Sequence, residues 1–335
     1  MTEETPSALL DPARAPTREG VLRAAAKVAA ILPPTPLLPL EVDGQTLWCK
    51  AESLQPIGSF KIRGAWHRIS DLRPDQAAAG VVGVSSGNHA QGVAWAARRL
   101  GIAATIVMPN DAPRAKLEAT RALGAEVVMY DRPGGEDRDA VARALVEGSG
   151  RTLVHAFGDP WVIEGQGSLA IEAADQLKAA TGAEFDTAIA CVGGGGLSSG
   201  IALAMPAARV WGAEPEGWDD VRRSLECGSI QRVENPPPTA CDALQTPATF
   251  PINFAVLQAR GVQVVAVSEA EVRAAMRLAF ARLHLVIEPG GAAALAAVLA
   301  GKVPVRPHTL VTLSGGNVDA DRFAGVLGEV AATAA

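Results

Sequence analysis

A chain of 335 residues is too long for one small core and fits one large or two ordinary α/β domains. Its 36 acidic residues outnumber its 30 basic ones, a net charge of −6, so no basic face for nucleic acid is expected and a small molecule is the better partner. No apolar run approaches the roughly 20 residues of a membrane span, and the stretch Met1 to Pro16 lacks the basic-then-apolar pattern of a secretion signal.

Apolar residues at helical spacing (Val21, Leu22, Ala25, Val28, Ala29) predict a helix over Thr17 to Ile31, which Pro33-Pro34 stops. Leu47 to Ala51 reads as a strand, and after a loop from Ser53 to Gly58 a helix opens at Lys61 and runs through Ile69. From Val81 the pattern becomes strand, turn, helix, repeated. Val81 to Val84 precedes Gln91 to Leu100, Ala104 to Met108 precedes Pro113 to Leu123, and Glu126 to Tyr130 precedes Arg138 to Glu147. That is the rhythm of βαβ units and a parallel sheet. A second series of strands, at Asp186 to Val192, Val210 to Glu214, Gln263 to Val267 and Thr309 to Leu313, predicts a second, larger sheet, and the alanine-rich stretch Ala292 to Ala300 a tightly packed core helix. Cys49, Cys191, Cys227 and Cys241 are far apart and show no C-x-x-C spacing, so they read as reduced thiols of a soluble cytoplasmic protein.

Four segments lie where an apolar strand gives way to a helical pattern, and such loops converge at one edge of an α/β sheet. In Gly58-Ser59-Phe60-Lys61-Ile62-Arg63-Gly64 a lysine between two glycines can act as a covalent catalyst, although alone the segment reads equally as a basic surface turn. Ser85-Ser86-Gly87-Asn88-His89 exposes backbone donors that suit a carboxylate, or is an ordinary turn. Gly193-Gly194-Gly195-Gly196-Leu197 follows an apolar strand; without side chains, successive N–H groups can point at one anion at a helix start, which makes a phosphate cradle. A dinucleotide site competes, since Glu214 ends the next strand, but the third glycine of that fingerprint falls on Ser198 or Ser199 here. The last segment is Ser314-Gly315-Gly316-Asn317.

Together, in this order, the four segments resemble the pyridoxal-phosphate enzymes of the threonine and serine dehydratase family, fold type II, whose relatives include the serine racemases. The resemblance covers nearly the whole chain. It implies two twisted, parallel-type α/β sheets with flanking helices, with a small domain at residues 77–155 inserted into a large one formed by 1–76 and 156–335. The resemblance assigns the covalent bond to pyridoxal 5′-phosphate to Lys61, beside Phe60. The phosphate goes to Gly193, Gly194, Gly195, Gly196 and Leu197, the phenolic oxygen to Asn88, and the pyridine nitrogen to Ser314. Glu288, in Val286-Ile287-Glu288-Pro289-Gly290-Gly291, matches an acid near the ring, its role open. The substrate carboxylate falls to Ser85, Ser86, Gly87, Asn88 and His89, with His89 anchoring the loop. Freed from the cofactor, Lys61 would take the Cα proton, provided a helix N-terminus and nearby positive charge keep its amine neutral. Ser86 matches the residue that handles a proton on the opposite face in racemases.

A neutral hydroxyl at Ser314 would not hold the ring nitrogen protonated, so prompt loss of a β leaving group is expected over transamination, with the cofactor phosphate the family's candidate to protonate the departing hydroxyl. In dehydratases and racemases the segment matching Gly212 to Asp220 binds Mg²⁺ or Ca²⁺, which implies Glu214, Asp220 and the Trp218 carbonyl here; a solvated acidic loop is the alternative. The expectation is therefore a lyase, in a homodimer, converting L-threonine or L-serine to a 2-oxo acid and ammonia. Serine or aspartate racemisation and hydroxyaspartate dehydration are alternatives, the last needing an extra cation near the β substituent. A binding protein that keeps the fold without the chemistry is a further one, set against it an intact Lys61 and all four loops. The chain ends about where the catalytic domain of the family does, so feedback control through a C-terminal regulatory domain is not expected.

Overall fold

The computed structural model describes residues 14–85, 87–112, 114–132 and 134–329. Ten strands form two sheets among these residues. The first contains β1 (Leu37–Val42), β2 (Gln45–Ala51), β7 (Thr187–Cys191), β8 (Arg209–Pro215), β9 (Gln263–Val267) and β10 (Thr309–Leu313), in the order β1-β2-β10-β7-β8-β9. The second contains β3 (Val81–Val84), β4 (Ala104–Pro109), β5 (Glu126–Tyr130) and β6 (Thr152–Val154), in the order β5-β4-β3-β6. Every pairing is parallel except the β1–β2 hairpin. Parallel sheets covered on both faces need strands that are apolar throughout, and β7 and β10 are buried at every position.

The helices are α1 (Arg18–Ala29), α2 (Lys61–Ile69), α3 (Pro74–Ala79), α4 (Asn88–Leu100), α5 (Arg114–Ala122), α6 (Arg138–Val146), α7 (Pro160–Thr181), α8 (Gly196–Ala204), α9 (Asp220–Cys227), α10 (Pro251–Ala259), α11 (Glu269–Leu283), α12 (Pro289–Leu299) and α13 (Ala320–Gly328). The largest core cluster lies against the first sheet, and a second joins α2 and α4 to the other sheet. Several elements depart from the sequence reading, β1 and α4 among them. Strand β1 is an edge strand containing Pro39, tolerated because an edge need not donate on both sides; its hairpin turns at Asp43-Gly44, both at positive φ (48° and 74°). Helix α4 starts at Asn88 rather than Gln91, which brings the predicted turn residues Asn88 and His89 into its first turn.

Helix α7 holds the site's two supporting helices at van der Waals distance. Asp159 caps it, accepting from the N–H groups of Trp161 (2.9 Å) and Val162 (3.2 Å). A Cβ on Gly165 would come within 2.5 Å of the Cα of Gly64 in α2, and one on Gly167 within 2.5 Å of the carbonyl oxygen of Gly200 in α8. Glycine is therefore required on both sides of α7 for these approaches.

Buried charge locks α2 from behind. The guanidinium of Arg63, two residues after Lys61, donates to both carboxylate oxygens of Glu52 (Nε to Oε2 2.7 Å, Nη2 to Oε1 2.8 Å) and to Glu172 at 3.0 Å. Lys50 donates to Glu172 at 2.5 Å and to the Thr35 carbonyl at 2.7 Å. These four charged side chains neutralise one another in the interior, the condition under which burial of charge is tolerated.

Candidate active site

One cavity gathers the segments from all four motifs: Phe60 and Lys61, Ser85 with Gly87 to His89, Gly193 to Leu197, and Ser314, together with Glu288. Ser86 lies outside the described residues. Backbone bonds stitch the loops together. The Phe60 N–H donates to the Ser314 carbonyl (3.0 Å), the Gly316 N–H to Gly58 (2.9 Å), and the Glu288 N–H to Gly315 (3.0 Å). Gly58 sits at φ 71°, and a Cβ there would fall 2.3 Å from Asn317 Oδ1.

Lys61 Nζ donates to the Ala156 carbonyl at 2.8 Å. Its pKa is pushed down to about 8, and the cause is desolvation, opposed by Cys191 and Glu288. Burial, then, does what the sequence reading attributed to a helix end and neighbouring positive charge. Glu288 is pushed up to about 7, mainly by burial; its Oε1 accepts from Asn88 Nδ2 at 2.5 Å, while Oε2 has no hydrogen-bond partner among the described residues. Asn88 Oδ1 in turn accepts from Asn317 Nδ2 (2.8 Å), which also donates to the Ile57 carbonyl.

His89 donates from Nε2 to the Val154 carbonyl at 2.7 Å, and burial lowers its pKa to about 3, so it stays neutral and ties the first turn of α4 to β6. The Gly87 N–H is taken by the Ser85 hydroxyl at 3.1 Å, so an incoming carboxylate would exchange with that hydroxyl.

The four-glycine turn rests on Phe157. A Cβ on Gly194 would lie 2.2 Å from the Phe157 ring, and one on Gly196 3.0 Å from the Phe157 Cα, so side chains are excluded where an anion could settle. Gly195 caps α8 at φ 88°, in the left-handed region that favours glycine. Phe157 itself is braced edge-on by His155 and Phe250, with ring centroids 4.6 and 5.1 Å away.

The cavity is also lined by Cys191, Lys116, Arg138, Asp242 and Thr246, which no motif named. Lys116 of α5 pairs with Asp242, which lines the same cavity. Arg138 begins α6, a position legible only as a helix start.

Glu214 and Asp220 come together away from this cavity. Glu214 accepts from the N–H groups of Val221 (3.0 Å) and Arg222 (2.9 Å); Asp220 Oδ2 accepts from Thr249 N–H (2.8 Å), and Oδ1 is buried without a partner among the described residues. Burial raises both carboxyl pKa values, that of Asp220 to about 7, and the charge of Asp220 adds to the rise at Glu214. Trp218 donates its indole N–H to the Pro237 carbonyl at 2.9 Å. No group of three His, Cys, Asp or Glu side chains able to hold a metal ion occurs among the described residues.

A desolvated amine, a glycine turn closed to side chains and a neutral hydroxyl opening onto one cavity fit an aldehyde-bearing aromatic phosphate ester. The chain belongs to the family of pyridoxal-phosphate dependent enzymes, which it matches over residues 28–315. It is 40% identical over 316 residues to an L-threo-3-hydroxyaspartate ammonia-lyase of a Pseudomonas species, covering 92% of this chain and 97% of that one. A serine racemase of Schizosaccharomyces pombe is 36% identical over 323 residues, covering 94% and 98%. The crystal structure of a T.th. threonine deaminase superposes with a TM-score of 0.82 at 43% identity, covering 91% of this chain and 99% of that one.

Proposed function

We propose that the protein removes the β-hydroxyl and the amino group of a β-hydroxy amino acid, releasing a 2-oxo acid and ammonia. Lys61 would hold the aldehyde carbon of pyridoxal phosphate, Gly193 to Leu197 its phosphate, Asn88 its phenolic oxygen, and Ser314 its ring nitrogen, with Phe60 and Glu288 beside it. Bound there, the cofactor supplies an electron sink for the charge left when Cα loses its proton. The observation that carries the reading is the Lys61 amine, desolvated to a pKa of about 8 in the same cavity as the glycine turn and Ser314.

At that pKa a useful fraction of the amine is neutral near pH 7.5, and an N–H given to Ala156 leaves its lone pair free to take a proton. Donors at the start of α4, with Ser85 and Ser86, would hold the substrate carboxylate. Water lost in the elimination is regained on hydrolysis, so substrate and products balance without an oxidant. Residues 77–155 would form the smaller unit and 1–76 with 156–335 the larger.

A 3-hydroxyaspartate substrate is favoured by one specific observation: Arg138 lines the cavity while Lys116 is already paired with Asp242, and an acid at the β carbon needs such a cation. The ammonia-lyase relative named for that substrate agrees. L-threonine and L-serine, the leading expectation from the motifs, are the neutral alternatives. Racemisation rests on Ser86 alone.

A panel of L- and D-serine, L-threonine and threo-3-hydroxyaspartate, scored for oxo acid and inverted amino acid, tests the proposal. Oxo acid from the L-substrates is expected, and inversion faster than oxo-acid release overturns it. Lys61→Ala should abolish both turnover and the visible cofactor absorbance; if activity survives, the assignment is wrong.

We further infer a Mg²⁺ or Ca²⁺ ion at Glu214 and Asp220, with the Trp218 carbonyl among its ligands. Two buried carboxyls with raised pKa values and an orphaned Asp220 oxygen support it, since a hard cation would neutralise both. A cytoplasmic homodimer belongs to the same reading. The four cysteines are unpaired, as a reducing compartment keeps them, and dimers are the commonest assembly.

A further inference from the structure

Cys191 and Ser314 end neighbouring parallel strands, the first as the last residue of β7 and the second just past β10. Their Sγ and Oγ atoms are 3.2 Å apart, the two side chains are buried, and both open onto the cavity. A hydroxyl has one proton and two lone pairs, whereas a thiol is a weak donor and a weaker acceptor. Two arrangements satisfy the contact. If Ser314 donates to sulfur, its only proton is spent on a poor acceptor; if Cys191 donates to Ser314, the hydroxyl proton is free. Once an acceptor stands in the cavity, the second makes two hydrogen bonds where the first makes one. Burial raises the thiol pKa to about 11, so the S–H is present throughout the neutral range.

We infer that Cys191 is a positioning residue: its S–H donates to Ser314 Oγ and turns the serine's own proton into the cavity, toward the ring nitrogen of the cofactor. This rests on the reading of Ser314 given above. The chain S–H to O–H to nitrogen polarises each link, so the thiol strengthens the donor at the ring without bringing a charge to it. A carboxylate in its place would protonate the nitrogen and favour the transamination that a neutral donor disfavours. Cys191 thereby helps keep the site an eliminating one, through Ser314 and without touching substrate.

The test uses the holoenzyme loaded with pyridoxal phosphate carrying ¹⁵N in the ring, read by its nitrogen chemical shift, and cofactor affinity from titration of the apoenzyme. Cys191→Ala should move the nitrogen signal toward that of a ring without a donor and weaken cofactor binding about fivefold, the worth of one ordinary hydrogen bond. Cys191→Ser should restore both. Cys191→Val fills the thiol's volume without a donor and serves the same comparison should the alanine variant not fold. If Ser314→Ala moves the nitrogen signal but the donorless Cys191 variants leave it at the wild-type value, the inference falls and the reading of Ser314 stands. A Cys191→Ser enzyme that shifts as far as the alanine variant also overturns it. If Ser314→Ala itself leaves the signal unmoved, the reading of Ser314 fails and the inference with it.

Discussion

Replacing Glu52 by alanine isolates what the buried charge cluster behind Lys61 contributes. Glu52 accepts two hydrogen bonds from Arg63, one from Thr35 Oγ1 at 2.6 Å and one from Gln55 Nε2 at 3.2 Å, and both Glu52 and Arg63 are fully buried. With Glu52 gone, Arg63 retains, among the described residues, Glu172 and a long 3.4 Å contact to Ser168. Removing one partner of a buried pair costs about 3–5 kcal/mol, because the survivor keeps its charge without its compensation. Unfolding 335 residues carries an entropy of roughly 0.7 kcal/mol per kelvin. The melting temperature should therefore fall by about 4–7 °C. Asp75→Ala, which breaks the exposed Arg73–Asp75 pair, should shift it by about 1 °C or less. Circular dichroism melts of the three proteins at one concentration and with the same cofactor loading make the comparison. Equal shifts in the two variants, or a Glu52→Ala melt within 1 °C of wild type, would refute the claim that burial decides the value of these pairs.

Gly194→Ala puts a methyl group 2.2 Å from the braced Phe157 ring, so it should cost about 1–3 kcal/mol of stability and loosen cofactor binding; an unchanged titration of apoenzyme with pyridoxal phosphate would clear the turn of that role. Arg138→Ala should raise KM for threo-3-hydroxyaspartate by about 10- to 100-fold, the worth of a charge-assisted hydrogen bond, and leave L-threonine nearly unaffected; equal effects on both substrates argue against a β-carboxylate partner. Chelation should lower the melting temperature, since an ion at a hundred times its Kd stabilises the native state by about 2.7 kcal/mol, and Mg²⁺ or Ca²⁺ should restore it. In the stripped protein Asp220 has its pKa raised to about 7, so between pH 4 and 7 the native state binds more protons than the unfolded chain and stability declines as pH rises. A metal-free melt that is flat or rising across that window would count against the buried carboxyl pair.

The loops that meet in the cavity were legible in the sequence, because glycine turns and the lysine between them are local patterns, three of them just after a strand. Strands rich in Val and Ile were legible for the same reason, and Val81–Val84, Glu126–Tyr130, Gln263–Val267 and Thr309–Leu313 have the predicted bounds. Cys191, Lys116, Arg138, Asp242 and Phe157 were not legible as site residues. They come from separate elements, and tertiary packing brings them to one cavity. Strand β1 was hidden by Pro36 and Pro39, although Asp43-Gly44 is a hairpin signal that could have found it. Helix α7 was not read from the sequence, although Asp159-Pro160, a cap followed by proline at the first helical position, is a signal that could have found it. The cause of the lowered Lys61 pKa was out of reach, since desolvation belongs to tertiary packing.

The glycine contacts along α7 have a bearing on how such a protein can change. Because Gly165 meets Gly64 and Gly167 meets Gly200 outside the cavity, the span from the reactive amine to the anion turn is gauged by a rod that touches no substrate. Residues on the rim, Arg138 and Lys116 among them, stand on the other sheet's helices and take no part in that gauge. Substrate preference can thus drift by rim substitutions while the length that a cofactor must match stays constant. An engineer seeking a new β substituent would vary α5 and α6 and leave the small residues of α7 alone.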